Sequence, residues 1–148
     1  MSTPYTTKAA ILTQMSDYDL ASLTNNDDQA QIVGAQVDKC IEWAQIQIDR
    51  KLRGVYSPLP FDPVPSDIAD IALDLVVFRL HELRGLQATV MNRWDRAMAA
   101  LKDLRDGRTT LDAEAQENVV VSSTAVKAVI ATAPLKAGVF TSEKLSGY

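Results

Sequence analysis

Residues 28–65 read DQAQIVGAQVDKCIEWAQIQIDRKLRGVYSPLPFDPVP, and this stretch decides the fold. Val33, Val37, Cys40, Ile41, Ala44, Ile48 and Leu52 recur mainly at steps of three and four, which draws one apolar stripe along a helix of roughly seven turns. Ile32, Trp43 and Ile46 fall outside that stripe. A second apolar face on a long helix more often packs than binds a ligand, so these three are assigned to contact with a neighbouring subunit. Arg50, Lys51 and Arg53 close the helix, where the last carbonyls lack donors and each cation stabilises by roughly 0.3–1 kcal/mol. Gly54 suits the left-handed residue that follows a helix. Pro58, Pro60, Pro63 and Pro65 then lack N–H groups and fix φ, so no helix crosses this segment. The spacing predicts a rigid corner pinned to the core by Tyr56, Leu59 and Phe61.

Upstream, Thr6 and Thr7 are candidate N-caps for a short helix over residues 8–15, and Ser16 and Asp17 for another brief turn anchored by Tyr18, Leu20 and Leu23. Thr24–Asp28 is a polar break, and Asp27 and Asp28 suit the positive end of the next helix. Downstream, Ser66 is read as the cap of a helix with Asp67 in its first turn. Ile68, Ile71, Ala72, Leu75, Val76, Phe78, Leu80 and Leu83 cover most of its circumference, the pattern of a helix buried on several sides. Asp67, Asp70 and Asp74 share its polar strip, which is read as solvated or as a row of salt bridges at a subunit interface. Gly85 ends this helix, Thr89 caps the next, and Met91, Trp94, Met98, Leu101 and Leu104 form its stripe, with Gly107 as the stop.

Residues 116–132 are rich in Val, Ser, Thr and Ala without a sustained helical stripe, which favours extended structure. This tail has apolar anchors and no core of its own, so it is expected to dock on a partner or a neighbouring subunit. The reading is mainly α: a small helical bundle with one long central helix, a proline-rich corner and an extended C-terminal tail. Residues 1–107 form the helical domain, and 108–148 form an arm that is not an independent domain.

The chemistry is sparse. The apolar fraction of 47% and charged fraction of 23% are those of a soluble globular chain. A net charge of -4 argues against binding nucleic acid by bulk charge. The single cysteine, Cys40, excludes an intrachain disulfide and a cysteine-rich metal site, and its apolar position reads as a buried thiol. His81 is the one histidine; it lacks both a nucleophile placed by a motif and the second histidine that a zinc helix requires. The six glycines are scattered singly, so no phosphate loop exists. No signal peptide or membrane span is expected. The expectations are a soluble intracellular product that is not an enzyme, with no catalytic residue, metal or cofactor.

Several motifs in order carry a resemblance. They are Tyr5 with the short first helix; Ile48-Asp49-Arg50-Lys51-Leu52 followed by Tyr56; the corner Pro58-Leu59-Pro60; and Arg93-Trp94-Asp95-Arg96-Ala97 leading to Leu101. Gly107 with Leu111, and the closing Phe140-Thr141-Ser142-Glu143-Lys144-Leu145-Ser146-Gly147-Tyr148, complete the series. The chain resembles the head-tail connector (adaptor, or head-completion) proteins of Mu-like phages. The resemblance implies a structural virion protein in the neck between capsid and tail, made in the host cytoplasm. It would form a homo-oligomeric ring, a dodecamer, beneath the portal protein, with a tail protein or a stopper or terminator ring on its other side. DNA would pass through the bore without sequence-specific binding, a passage that an acidic wall favours, and no membrane is involved. Under this reading the subunit or portal interface comprises Ile32, Trp43, Ile46, Val119, Val121, Val126, Val129, Phe140, Leu145 and Tyr148. The alternative is a small helical nucleic-acid-binding or regulatory module using Arg50, Lys51, Arg53, Arg93 and Arg96. An enzyme built on Asp67, Asp70 and Asp74 ranks last.

Overall fold

The computed structural model describes residues 2–25, 31–82, 84–85 and 87–111. Among them the chain is mainly helical, with no strand, and forms a small bundle of α1 (Lys8–Leu12), α2 (Asp17–Thr24), α3 (Gly34–Leu52), α4 (Ser66–Glu82) and α5 (Ala88–Arg105). No described helix is long and apolar enough to cross a membrane. The extended conformation expected over residues 116–132 lies outside the described residues, as does Leu83.

α3 is the longest helix, and α4 is wedged between it and α5. That placement follows from composition: Ile68, Ile71, Ala72, Leu75, Val76, Val77, Phe78 and Leu80 are all buried, so nearly every turn of α4 has apolar groups to hide on more than one side. α1 leans on α4, and α2 touches both α3 and α4. Val37, Cys40, Ala44, Ile48 and Leu52 of α3 are buried as their spacing predicts.

The start of α3 differs from expectation. The helix begins at Gly34 and runs 19 residues, about five turns. Val33 is its N-cap and is 39% exposed. One local contact sets this start: the Val33 N–H donates to Thr24 Oγ1 at 3.1 Å at the end of α2. Asp27 and Asp28 lie outside the described residues.

The caps show where side-chain chemistry prevails over pattern. Thr7 Oγ1 accepts from the Ala10 N–H, and Ser16 Oγ accepts from the Asp19 N–H, so both expected caps form. Tyr18, expected as an anchor beside Leu20 and Leu23, is instead 63% exposed. α4 includes Ser66 itself, because the Pro65 carbonyl accepts the Ala69 N–H one residue earlier than expected. α5 is capped at Gln87, which leaves Thr89 within its first turn.

At the other ends, Gly54 does not take a positive φ; the Val55 and Tyr56 N–H groups both donate to the Leu52 carbonyl through a right-handed turn. Gly85 and Gly107 do enter the left-handed region, at φ 118° and 73°. At Gly107 the Arg108 N–H donates to the Asp103 carbonyl and the Gly107 N–H to that of Leu104. These two bonds form a paired cap whose left-handed residue is most often glycine.

The α5 stripe is also shifted. Val90, Ala97, Leu101 and Leu104 are buried, whereas Met91 is exposed and Trp94 and Met98 are half-buried. Small Ala97 lies at the helix contact and the bulky pair flanks it, a placement that size favours over hydrophobicity because it lets the helices approach closely. Leu111, beyond the Gly107 cap, is also part of the core.

Candidate assembly surface and its framework

The proline corner is built from Tyr56, Leu59 and Phe61, as expected. Phe61 is fully buried, Tyr56 is 5% exposed, and Leu59 packs partly buried against them. Its peptide bonds Ser57-Pro58, Leu59-Pro60 and Asp62-Pro63 are cis. The Phe61 ring lies 6.0 Å from that of Tyr5 and 5.7 Å from that of Tyr56.

The Tyr5 hydroxyl joins the corner to α3. It donates to Asp49 Oδ1 at 2.5 Å and accepts from the buried Phe61 N–H at 3.0 Å. Burial, then the Asp49 hydrogen bond, push this phenol well above its ordinary value of 10.0, and the Phe61 N–H offsets only part of the shift. Burial raises Tyr56 as well. It also raises the Asp49 carboxyl, against the lowering effects of the Tyr5 hydroxyl and Arg53.

The linkage has a definite sign. The folded chain holds the tyrosine protons more tightly than the unfolded chain does. Their contribution is therefore complete below pH 10 and is lost as pH rises above it. Asp49 acts in the same direction in acid, favouring the folded state as pH falls through its raised range. Tyr5→Phe leaves the Phe61 N–H buried without its acceptor and is expected to cost about 1–3 kcal/mol. Urea unfolding at neutral pH and above pH 10 checks this, with a shallower alkaline loss of stability in the variant.

Across the bundle, Asp74 of α4 is clasped by two guanidiniums from α5. Arg93 Nη1 donates to Oδ1 at 3.0 Å, and Arg96 donates to Oδ2 from Nη2 at 2.7 Å and Nε at 3.1 Å. Arg93 also donates to Gln14 Oε1 at 3.1 Å. These charges lie beside a cleft of about 730 Å3 that Asp67, Asp70 and Asp103 also line. One member of the acidic strip is therefore a salt bridge within the protomer. Two of the five cations grouped as a nucleic-acid patch, Arg93 and Arg96, are already held by a carboxylate. His81 donates from Nδ1 to the Val77 carbonyl at 2.8 Å, which uses one ring nitrogen to stabilise its own helix. Cys40 is buried, and burial raises its thiol pKa.

Of the residues assigned to an interface, Ile32 is half-buried against the core. Trp43 stacks on Trp94 at 6.3 Å, with Arg79 5.1 Å above its ring and Phe78 4.6 Å beyond Trp94. Trp43 thus sits where α3, α4 and α5 meet. Ile46 points away from the core and is 48% exposed. Val119, Val121, Val126, Val129, Phe140, Leu145 and Tyr148 lie outside the described residues. Spacing alone missed Tyr18 and Met91 as exposed apolar groups. The signal for Met91 was available in the smaller Val90 and Ala97, which define a second stripe of better fit.

No curated protein matches this chain significantly. A match to the phage family described as Bacteriophage Mu, Gp36 spans residues 5–130. That span takes in the Tyr5 hydroxyl, the corner, the Asp74 clasp and the outward side of α3, so the whole framework described above falls within it, and the chain belongs to the Bacteriophage Mu, Gp36 family.

Proposed function

We propose that this chain is a structural virion protein, a head-tail connector that forms a ring beneath the portal and joins the DNA-filled capsid to the tail. The observation that carries the reading is the membership of residues 5–130 in a Mu phage family. The arrangement of the described residues supports it. A bundle braced by internal polar ties, Tyr5 to Asp49 and Asp74 to Arg93 and Arg96, suits repetition around a ring. Ile46 remains on the outer side of α3 for contact with neighbours. The net charge of -4 suits a channel wall past which DNA slides without being gripped. The partners are other copies of the chain in a dodecamer, the portal protein, and a tail or stopper protein.

Electron microscopy of assembled particles tests this reading: density for the chain is expected as a ring between portal and tail. Finding the chain only in the tail tube, or absent from particles, would overturn it.

A further inference from the structure

We propose that the outer face of α3 is a self-complementary docking surface on which two copies of this chain pair about a two-fold axis at Ile46. Glu42, Ile46 and Arg50 follow one another at intervals of four residues, so they lie in one row along the helix. All three are exposed, and Ile46 is flanked by a carboxylate one turn before and a guanidinium one turn after. In an antiparallel pair centred on Ile46, each residue meets the one equally far on the other side of the centre. Ile46 then meets Ile46 of the second copy, and Glu42 meets Arg50 twice, each pair about 6 Å along the axis from the centre. A parallel pair would oppose Glu42 to Glu42 and Arg50 to Arg50, so the order of charges selects the antiparallel arrangement. The antiparallel alignment of helix dipoles acts in the same sense.

Farther out, Lys39 meets Arg53 of the copy. That like-charge contact opposes pairing, and the Asp49 carboxyl, which interacts with Arg53 within its own chain, offsets part of it. The surroundings leave the row accessible. Gln45 Nε2 donates to Ser2 Oγ at 3.4 Å, which holds the N-terminal segment to one side of it. Between that segment and α3 runs a groove of about 910 Å3 whose lining includes Pro4, Ile41, Glu42 and Ile46.

The pairing does not depend on the connector reading. A ring joins different surfaces of successive subunits, whereas only a two-fold contact brings residue 46 against itself. If the chain also forms rings through Ile46, the paired form must part first.

Sedimentation of the full chain over a range of concentrations tests the proposal, alongside Glu42→Arg, Arg50→Glu, the double variant, and Ile46→Cys under mild oxidation. Expected are a dimer weakened about tenfold or more by either single reversal and restored by the double, and a disulfide-linked dimer of Ile46→Cys. The native chain, with Cys40 buried, is the blank for cross-linking. Circular dichroism verifies that the variants remain helical. A native chain that stays monomeric, association indifferent to the reversals, or an Ile46→Cys chain that does not cross-link to itself would each overturn it.

Discussion

Replacing Phe61 by alanine is expected to destabilise the fold by about 3–5 kcal/mol, the upper part of the range for core truncations. The ring is fully buried between those of Tyr5 and Tyr56, so its removal withdraws packing from two aromatic neighbours at once. Relaxation into the space is restricted. Pro58, Pro60 and Pro63 fix the local φ angles, and the Phe61 N–H is tied to the Tyr5 hydroxyl, so the backbone has little freedom to collapse. Leu59→Ala, in the same corner but half-buried, is expected to cost less. Urea unfolding of the three proteins measures both differences. A loss below about 1 kcal/mol for Phe61→Ala would mean that the corner repacks and does not serve as a fixed angle.

Deleting residues 119–148 is expected to abolish attachment to the portal while leaving the bundle folded with an almost unchanged melting temperature. The truncated chain retains all five described helices and the core that they form. The deleted residues include Val119, Val121, Val126, Val129, Phe140, Leu145 and Tyr148, the apolar groups that the sequence reading assigns to the interface. Co-sedimentation with portal rings and a thermal melt followed by circular dichroism give the two readouts. Undiminished attachment would remove the docking role from the tail. A large drop in melting temperature would instead make the tail part of the protomer core.

Legibility in the sequence followed the range of the interactions. The stripe from Val37 to Leu52 and the apolar saturation of α4 arise from helical periodicity, so local spacing sufficed to read them. The corner was legible because proline acts on its own residue and the one before it. The start of α3 was not, because it depends on a hydrogen bond from Val33 to Thr24 across a polar break. The phase of α5 was misread because Trp94 and Met98 are more hydrophobic than Ala97, whereas close packing selected the smaller side chain. The Tyr5–Asp49 and Asp74–Arg93 pairs join positions far apart in sequence with no period to announce them. Trp43 stood out as an apolar residue off the stripe, but nothing in its spacing pointed to Trp94.

The Tyr5 hydroxyl also imposes an order in time. Its two partners lie 44 and 56 positions later in the chain, so during synthesis Tyr5 is complete long before Asp49 or Phe61 exists. Long-range contacts of this kind form only after the intervening chain has been gathered in, which makes them late events in folding. The N-terminal segment is therefore expected to seal the bundle after α3 and the corner have been made, although it is synthesised before them. Fusions or tags joined close to Tyr5 would act on this closing step more than on the formation of the helices themselves.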